Sequence, residues 1–370
     1  MFVAWRDLRF AKGRFALMGA VVVLITVLVG LLSGLTAGLG RENTSAITAL
    51  PADHLVFSAP ADGRDVAFTD SRLTERTVRA WARVPGVRHA DPLGITTTKA
   101  GAGGRTAAVA AFGVRPGSGP APAGVGDGAV VLSAKAAASL GARAGDALTL
   151  GGRTVRVGAV AGAAMYSHTP VAWTSLADWQ RLTGGTGPGS RGPGGDGASG
   201  DRPGATVLAL STSGTARLAA ADKALGTRTV GTDDAVRAIG SYTAENGSLQ
   251  LMRGALFVIS ALVIGAFFTV WTIQRGGDIA VLKALGASTR TLLRDALGQA
   301  VVLLVAGTGL GTAVAAAVGA AIGGTVPFVL APSTVLAPAL IMITLGAAGA
   351  ALAVRRITSV DPLTALGSAR

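Results

Sequence analysis

The sequence predicts a membrane α-helical protein with four transmembrane helices and an α+β extracytoplasmic domain inserted between spans 1 and 2. Three observations carry this. Half of the residues are hydrophobic and only 14% are charged, where a soluble globular domain carries about 25% charged residues. Four apolar runs approach or exceed the roughly 20 residues that cross a bilayer. The basic residues flank those runs: 1–15, 274–295 and 355–370 together hold eleven Lys/Arg against four acidic residues, while 40–250 holds 21 against 16. That asymmetry is the positive-inside pattern. It puts both termini in the cytoplasm and makes the chain a multi-pass protein of the cell membrane. The net charge of +13 therefore reports topology, and no nucleic-acid partner is expected. There is no cysteine, which excludes a disulfide framework, a thiolate metal site and a thiol nucleophile.

Residues 1–15 read as a cytoplasmic interfacial helix, with Phe2, Trp5 and Leu8 at helical spacing beside Arg6, Arg9, Lys12 and Arg14; a plain topogenic flank is the alternative. The first span is 16–39, too long for the apolar core of a signal peptide. Gly30, Gly34 and Gly38 repeat every four residues along one face, a spacing that lets helices pack closely in a membrane.

The polar stretch 40–250 is the α+β domain. Residues 74–84 are helical, stopped by Pro85–Gly86. Residues 130–140 read as strand then helix. Residues 147–150 and 154–160 form a hairpin on Gly151–Gly152. Residues 176–182 are a short helix and 206–210 a strand. Between these last two, 184–204 is almost entirely Gly, Pro, Ser, Arg and Asp, a composition too poor in apolar surface to order; a disordered loop is expected.

The second span is 251–273, the third 296–323 and the fourth 334–354, with a short outer turn between the last two and a cytoplasmic tail at 355–370. Residues 274–295 form a cytoplasmic loop with a short amphipathic helix. Asp278 suits its N-terminal dipole, Ile279, Leu282 and Leu285 line one face, and Gly286 can make the left-handed turn that ends it. Ser288 can cap the helix that follows. The apolar face calls for either a groove on a soluble subunit or the lipid headgroups. No G-x-x-x-x-G-K-[ST] is present, so ATP would have to bind another chain. No H-E-x-x-H or G-x-S-x-G occurs either, and no catalytic residues, intrinsic cofactor or metal site are expected.

The four-span plan, the segment Asp278–Ala287 and the terminal Asp361–Leu366 resemble the FtsX/MacB-like ABC permeases across the whole chain. The resemblance implies a permease dimer, most simply a homodimer, and a separate ABC ATPase subunit. It also implies a mechanotransmission mechanism with no cytoplasm-to-outside pore. The ATPase would be met at Asp278, Ile279, Leu282, Lys283, Leu285 and Gly286. Gly38–Ser45, Met165–His168, Ser241–Glu245 and residues 266–274 further resemble one branch, the heme-efflux permeases of Gram-positive bacteria. Heme is then the expected transported substrate, taken from the membrane lipid; export of another lipophile or a peptide, or a non-transporting mechanical role on an envelope partner, are the alternatives.

Ferric heme accepts Tyr, His or Met as axial ligand, and a carboxylate oxygen is also a suitable hard donor. The two tyrosines, Tyr166 and Tyr242, join Glu245 and Glu42 as candidate ligands, with Arg41 able to pair with a propionate. His168, Met165 and Met252 rank behind them, and His54 and His89 match no motif. The bland readings are that an interfacial Tyr is a belt residue, that Arg41 and Glu42 pair with each other, and that His168 is a satisfied loop residue.

Overall fold

In the computed structural model, residues 12–184, 203–214, 216–274, 286, 288–323 and 326–357 are described. The expected interfacial helix (apart from its last residues), the 184–204 loop (apart from its ends), the 355–370 tail (apart from its first three residues) and most of the 274–295 loop lie outside them. The chain forms two compact units, 40–245 and the remainder.

Four helices are long and apolar enough to cross a membrane: α1 (Lys12–Thr48), α6 (Gly240–Gln274), α7 (Thr289–Ile322) and α8 (Pro332–Ile357). They overlap the four apolar runs read from the sequence, but α1 continues past residue 39 and α6 begins before 251. The polar extensions stay helical because their side chains dock into the core of the 40–245 unit. Ala46, Ile47 and Leu50 are buried there, and Tyr242 packs against the same cluster.

In the membrane unit the glycine stripe is an interface. Along α1 and α7, a Cβ at Gly307 would lie 2.9 Å from Val22 Cγ1, one at Gly311 2.7 Å from Thr26 Cβ, and one at Gly30 2.9 Å from Ala315 Cβ. The two helices thus run in the same direction, glycine facing side chain at four-residue intervals. Towards the residue-40 end of α1 the notch is filled by the α7–α8 connection. The Phe328 ring sits between Gly34 and Gly319, the Pro327 carbonyl rests against Gly38, and Val329 N–H donates to Gly34 O at 3.1 Å. Ser288 caps α7 by accepting from Thr291 N–H, and Gly286 has φ +94°.

The 40–245 unit is built on strand pairing. Strands β3 (Val87–Ala102), β4 (Arg105–Val114), β5 (Ala129–Leu132), β6 (Ala147–Leu150), β7 (Arg153–Val160) and β9 (Thr169–Ser175) close a ring in the order β3-β4-β9-β5-β7-β6, with β6 returning to β3 at Ala100–Leu150. The first half of β3 leaves this ring and pairs with β11 (Val207–Thr212), followed by β1 (His54–Ser58) and β12 (Thr227–Gly231). Alternate residues serve different cores, as the pleat requires. Val130 and Leu132 of β5 face helix α3 (Ala134–Leu140), and Val131 faces the core holding Phe57, Phe112 and Ile47.

Three hairpins turn on two residues with positive φ. Gly103–Gly104 joins β3 to β4, and Gly151–Gly152 joins β6 to β7 as expected. The third, Ser167–His168, joins β8 (Met165–Tyr166) to β9 and contains no glycine. At the free edge of the sheet, helix α5 (Leu218–Leu225) offers Asp222. Its carboxylate accepts from Thr229 N–H at 2.9 Å and from the hydroxyls of Thr227 and Thr229.

Candidate functional site

Three short segments converge within the 40–245 unit: the last turns of α1, the β8–β9 hairpin tip and the first turns of α6. They are the segments 38–45, 165–168 and 241–245 that carry the heme-permease resemblance.

The hairpin is fastened to α1 through its backbone. Ser167 N–H donates to Asn43 O at 2.9 Å and His168 N–H to Glu42 O at 3.3 Å. Ser45 Oγ accepts from Met165 N–H at 3.0 Å. Side chains then tie in α6: Ser241 Oγ donates to Asn43 Oδ1 and meets Ser167 Oγ, both at 2.8 Å. Asn43 is only 1% exposed, so both ends of its amide need partners.

His168 stands at the centre. Its Nε2 lies 2.7 Å from Glu245 Oε2 and 3.1 Å from Asn43 Nδ2. A carboxylate only accepts, so Nε2 carries the proton and donates to Glu245. Asn43 Nδ2, itself a donor, then directs its hydrogen to the same carboxylate oxygen at 3.3 Å. Glu245 Oε2 thus receives two donors, while Oε1 accepts no hydrogen bond from the described residues. On the other side of the ring, Nδ1 lies 3.9 Å from Glu42 Oε2, and Glu42 Oε1 pairs with Lys135 at the start of α3.

Of the sequence-predicted residues, Glu42 and Glu245 share this cluster, and Tyr242 is half-buried one turn from Glu245. Arg41 is exposed and pairs with neither Glu42 nor any other described residue. Tyr166 requires a correction. It is 8% exposed, with edge-on contacts to Phe68 at 5.7 Å and Phe112 at 5.5 Å. Burial pushes its phenol well above the usual tyrosine range, so the phenolate needed for iron is disfavoured: Tyr166 is a core residue. Met165 is buried with it, and Met252 is exposed outside this unit. His168, ranked low from sequence, is the residue that joins the two acids. Asn43 carries no signal of this role in the sequence: it lies within Gly38–Ser45, but nothing in its spacing marks it as buried. Among the described residues no group of three His, Asp or Glu side chains is arranged to hold a metal ion.

Residues 15–228, more than half of the chain, match the family of MacB-like periplasmic core domains, and 252–362 match the FtsX-like permease C-terminal family. The chain belongs to the MacB/FtsX family of ABC transporter permeases. This permease is 26% identical over 373 residues, 99% of each chain, to a Staphylococcus haemolyticus protein named as hemin transport system permease protein HrtB. It is also 26% identical over 372 residues, again 99% of each, to an uncharacterized ABC transporter permease of Mycobacterium tuberculosis. A structure of the periplasmic region of MacB from Actinobacillus actinomycetemcomitans aligns with 52% of the permease and 94% of that chain, at 12% identity and a TM-score of 0.35.

Proposed function

We infer that this permease is the membrane subunit of an ABC-type efflux system that removes heme from the outer leaflet of the cell membrane. The domain 40–245 then lies outside and both termini inside, as the positive-inside pattern requires. ATP is hydrolysed by a separate subunit, which docks on Asp278, Ile279, Leu282, Lys283, Leu285 and Gly286, and two permease copies work as a pair. Closure of the ATPase dimer is transmitted through the helices to the outer parts, with no aqueous path across the membrane.

The observation that carries the reading is the meeting of the three heme-permease-like segments in one cluster. That cluster presents Glu245, with Glu42 and Tyr242 near it, and leaves one oxygen of Glu245 free for a hard ferric centre. Arg41, exposed one residue before Glu42, supplies a cation for a propionate. The similarity to a hemin-transport-named protein supports the same substrate. A purely mechanical role on a protein partner is less well supported. Within 40–245, Val160 is the one large apolar side chain exposed among the described residues, and protein interfaces gain most of their energy from buried apolar anchors.

The test is a ferric heme titration of the purified permease, with Glu245→Ala and Tyr242→Phe in parallel. Saturable binding with an absorption spectrum altered by Glu245→Ala is the expected result. A folded protein that binds no heme saturably would sink the substrate assignment and leave the family assignment intact.

A further inference from the structure

The Ser167–His168 turn is strained in a way its two sister hairpins avoid. Both residues have positive φ, +49° and +59°, where the other turns use Gly-Gly. For an L-residue the left-handed region costs roughly 1–2 kcal/mol, and such strain persists where the surroundings over-determine it, often at functional sites. Glycine at 168 would relieve the backbone and lose only the imidazole. The imidazole is therefore the reason to look for a role.

Its one short bond goes to Glu245. The hairpin is held at the backbone by Glu42 and Asn43 carbonyls and at the side chain by Ser241. The ring is thus delivered from a fixed platform to Glu245 Oε2. Asn43, immobilised by burial and by Ser241, reaches the same oxygen. Two donors on one carboxylate oxygen fix the rotation of the group and leave the other oxygen without a hydrogen bond from the described residues, on a side chain 43% exposed. Outer partners of this kind orient metal-ligating carboxylates and tune affinity.

We propose that His168 is a positioning residue: with Asn43 it clamps Oε2 of Glu245 so that Oε1 is offered to the ferric iron of heme. This rests on the heme reading above and adds the device that sets the ligand. His168 is not itself assigned as the ligand: its Nε2–H is committed to Glu245, and its Nδ1 lies beside the Glu42 carboxylate, 3.9 Å from Oε2.

The experiment uses the full chain in detergent, titrated with ferric heme and read by absorption and electron paramagnetic resonance. It compares wild type with Glu245→Gln, His168→Gly and His168→Gln. His168→Gly suits the positive φ and keeps the turn, so its thermal midpoint should stay near that of wild type. It should bind heme roughly tenfold more weakly, the scale seen when an outer-shell partner is lost, with a changed ferric signal. His168→Gln, whose amide can donate from the same place, should restore most of the affinity and the wild-type signal. If Glu245→Gln abolishes the signal but His168→Gly matches wild type in affinity and spectrum, the positioning role is wrong while the heme reading stands. If Glu245→Gln is indistinguishable from wild type, or wild type binds no heme, the ligand assignment fails and the clamp fails with it.

Discussion

Gly34→Ala is expected to loosen the membrane unit, and the loss should depend on Phe328. The Phe328 ring fills the space between Gly34 on α1 and Gly319 on α7, and a Cβ on either glycine would run into it. The ring cannot escape one by moving towards the other. The added methyl must therefore separate α1 from α7 or expel the ring, an overpacking cost of about 1–3 kcal/mol. Removing the ring removes the clash, so Gly34→Ala should cost little in a Phe328→Ala background, a coupling of about 1–2 kcal/mol. Gly38→Ala is the control. Its methyl would strike the Pro327 carbonyl, which is backbone, so Phe328→Ala should give no rescue. The chain has no cysteine, so a single thiol placed at Ala350, fully buried in α8, can report opening through its rate of maleimide labelling across an SDS titration in mixed micelles. Wild-type-like labelling of Gly34→Ala, or an equal effect with and without Phe328, would refute the wedge.

Two further outcomes follow from the 40–245 unit. The raised Tyr166 pKa means that the folded state holds its proton to higher pH than the unfolded chain. Stability is then unaffected below about pH 10, the unfolded value, and falls above it by up to about 1.4 kcal/mol per pH unit; Tyr166→Phe should flatten that alkaline limb in circular dichroism, and an unchanged limb would contradict the buried phenol. Asp222→Ala should cost about 2 kcal/mol by stranding Thr229 N–H and two threonine hydroxyls. It should also open the β12 edge to strand addition, seen as faster growth of light scattering on mild heating; a stability and scattering profile equal to wild type would show that Asp222 does not guard the edge.

The membrane architecture was legible because each span announces itself by length and flanking charge, and neither signal needs tertiary context. The same holds for the Gly151–Gly152 hairpin and for the helices capped by Thr74, Ser133 and Ser175, whose turn and cap chemistry is local. The ring of strands was not legible. β4 and β9 are largely buried on both faces, so no alternation marks them, and half of β3 is Gly, Ala and Thr. The extensions of α1 and α6 were missed because their polar sequences read as loop; docking of Ala46, Ile47 and Tyr242 into the core of the 40–245 unit keeps them helical. The candidate site divides the same way. Glu42, Tyr242 and Glu245 stand out in the sequence by their place beside the spans, but the Ser-His turn has none of the glycine or asparagine that signals positive φ. Tyr166 was misread because a tyrosine in a motif looks the same from sequence whether its hydroxyl meets water or its ring meets phenylalanine.

The sixteen-residue β3 belongs at once to the closed ring and to the β11-β1-β12 extension. Neither lobe can therefore be excised with its sheet complete, and no linker between them can absorb a displacement. Amides in both lobes should exchange with deuterium through a shared opening reaction, and a break in β3 near Leu93 should abolish protection in each at once. A load applied at one lobe would meet the other along a continuous peptide backbone, as along a beam and not across a hinge.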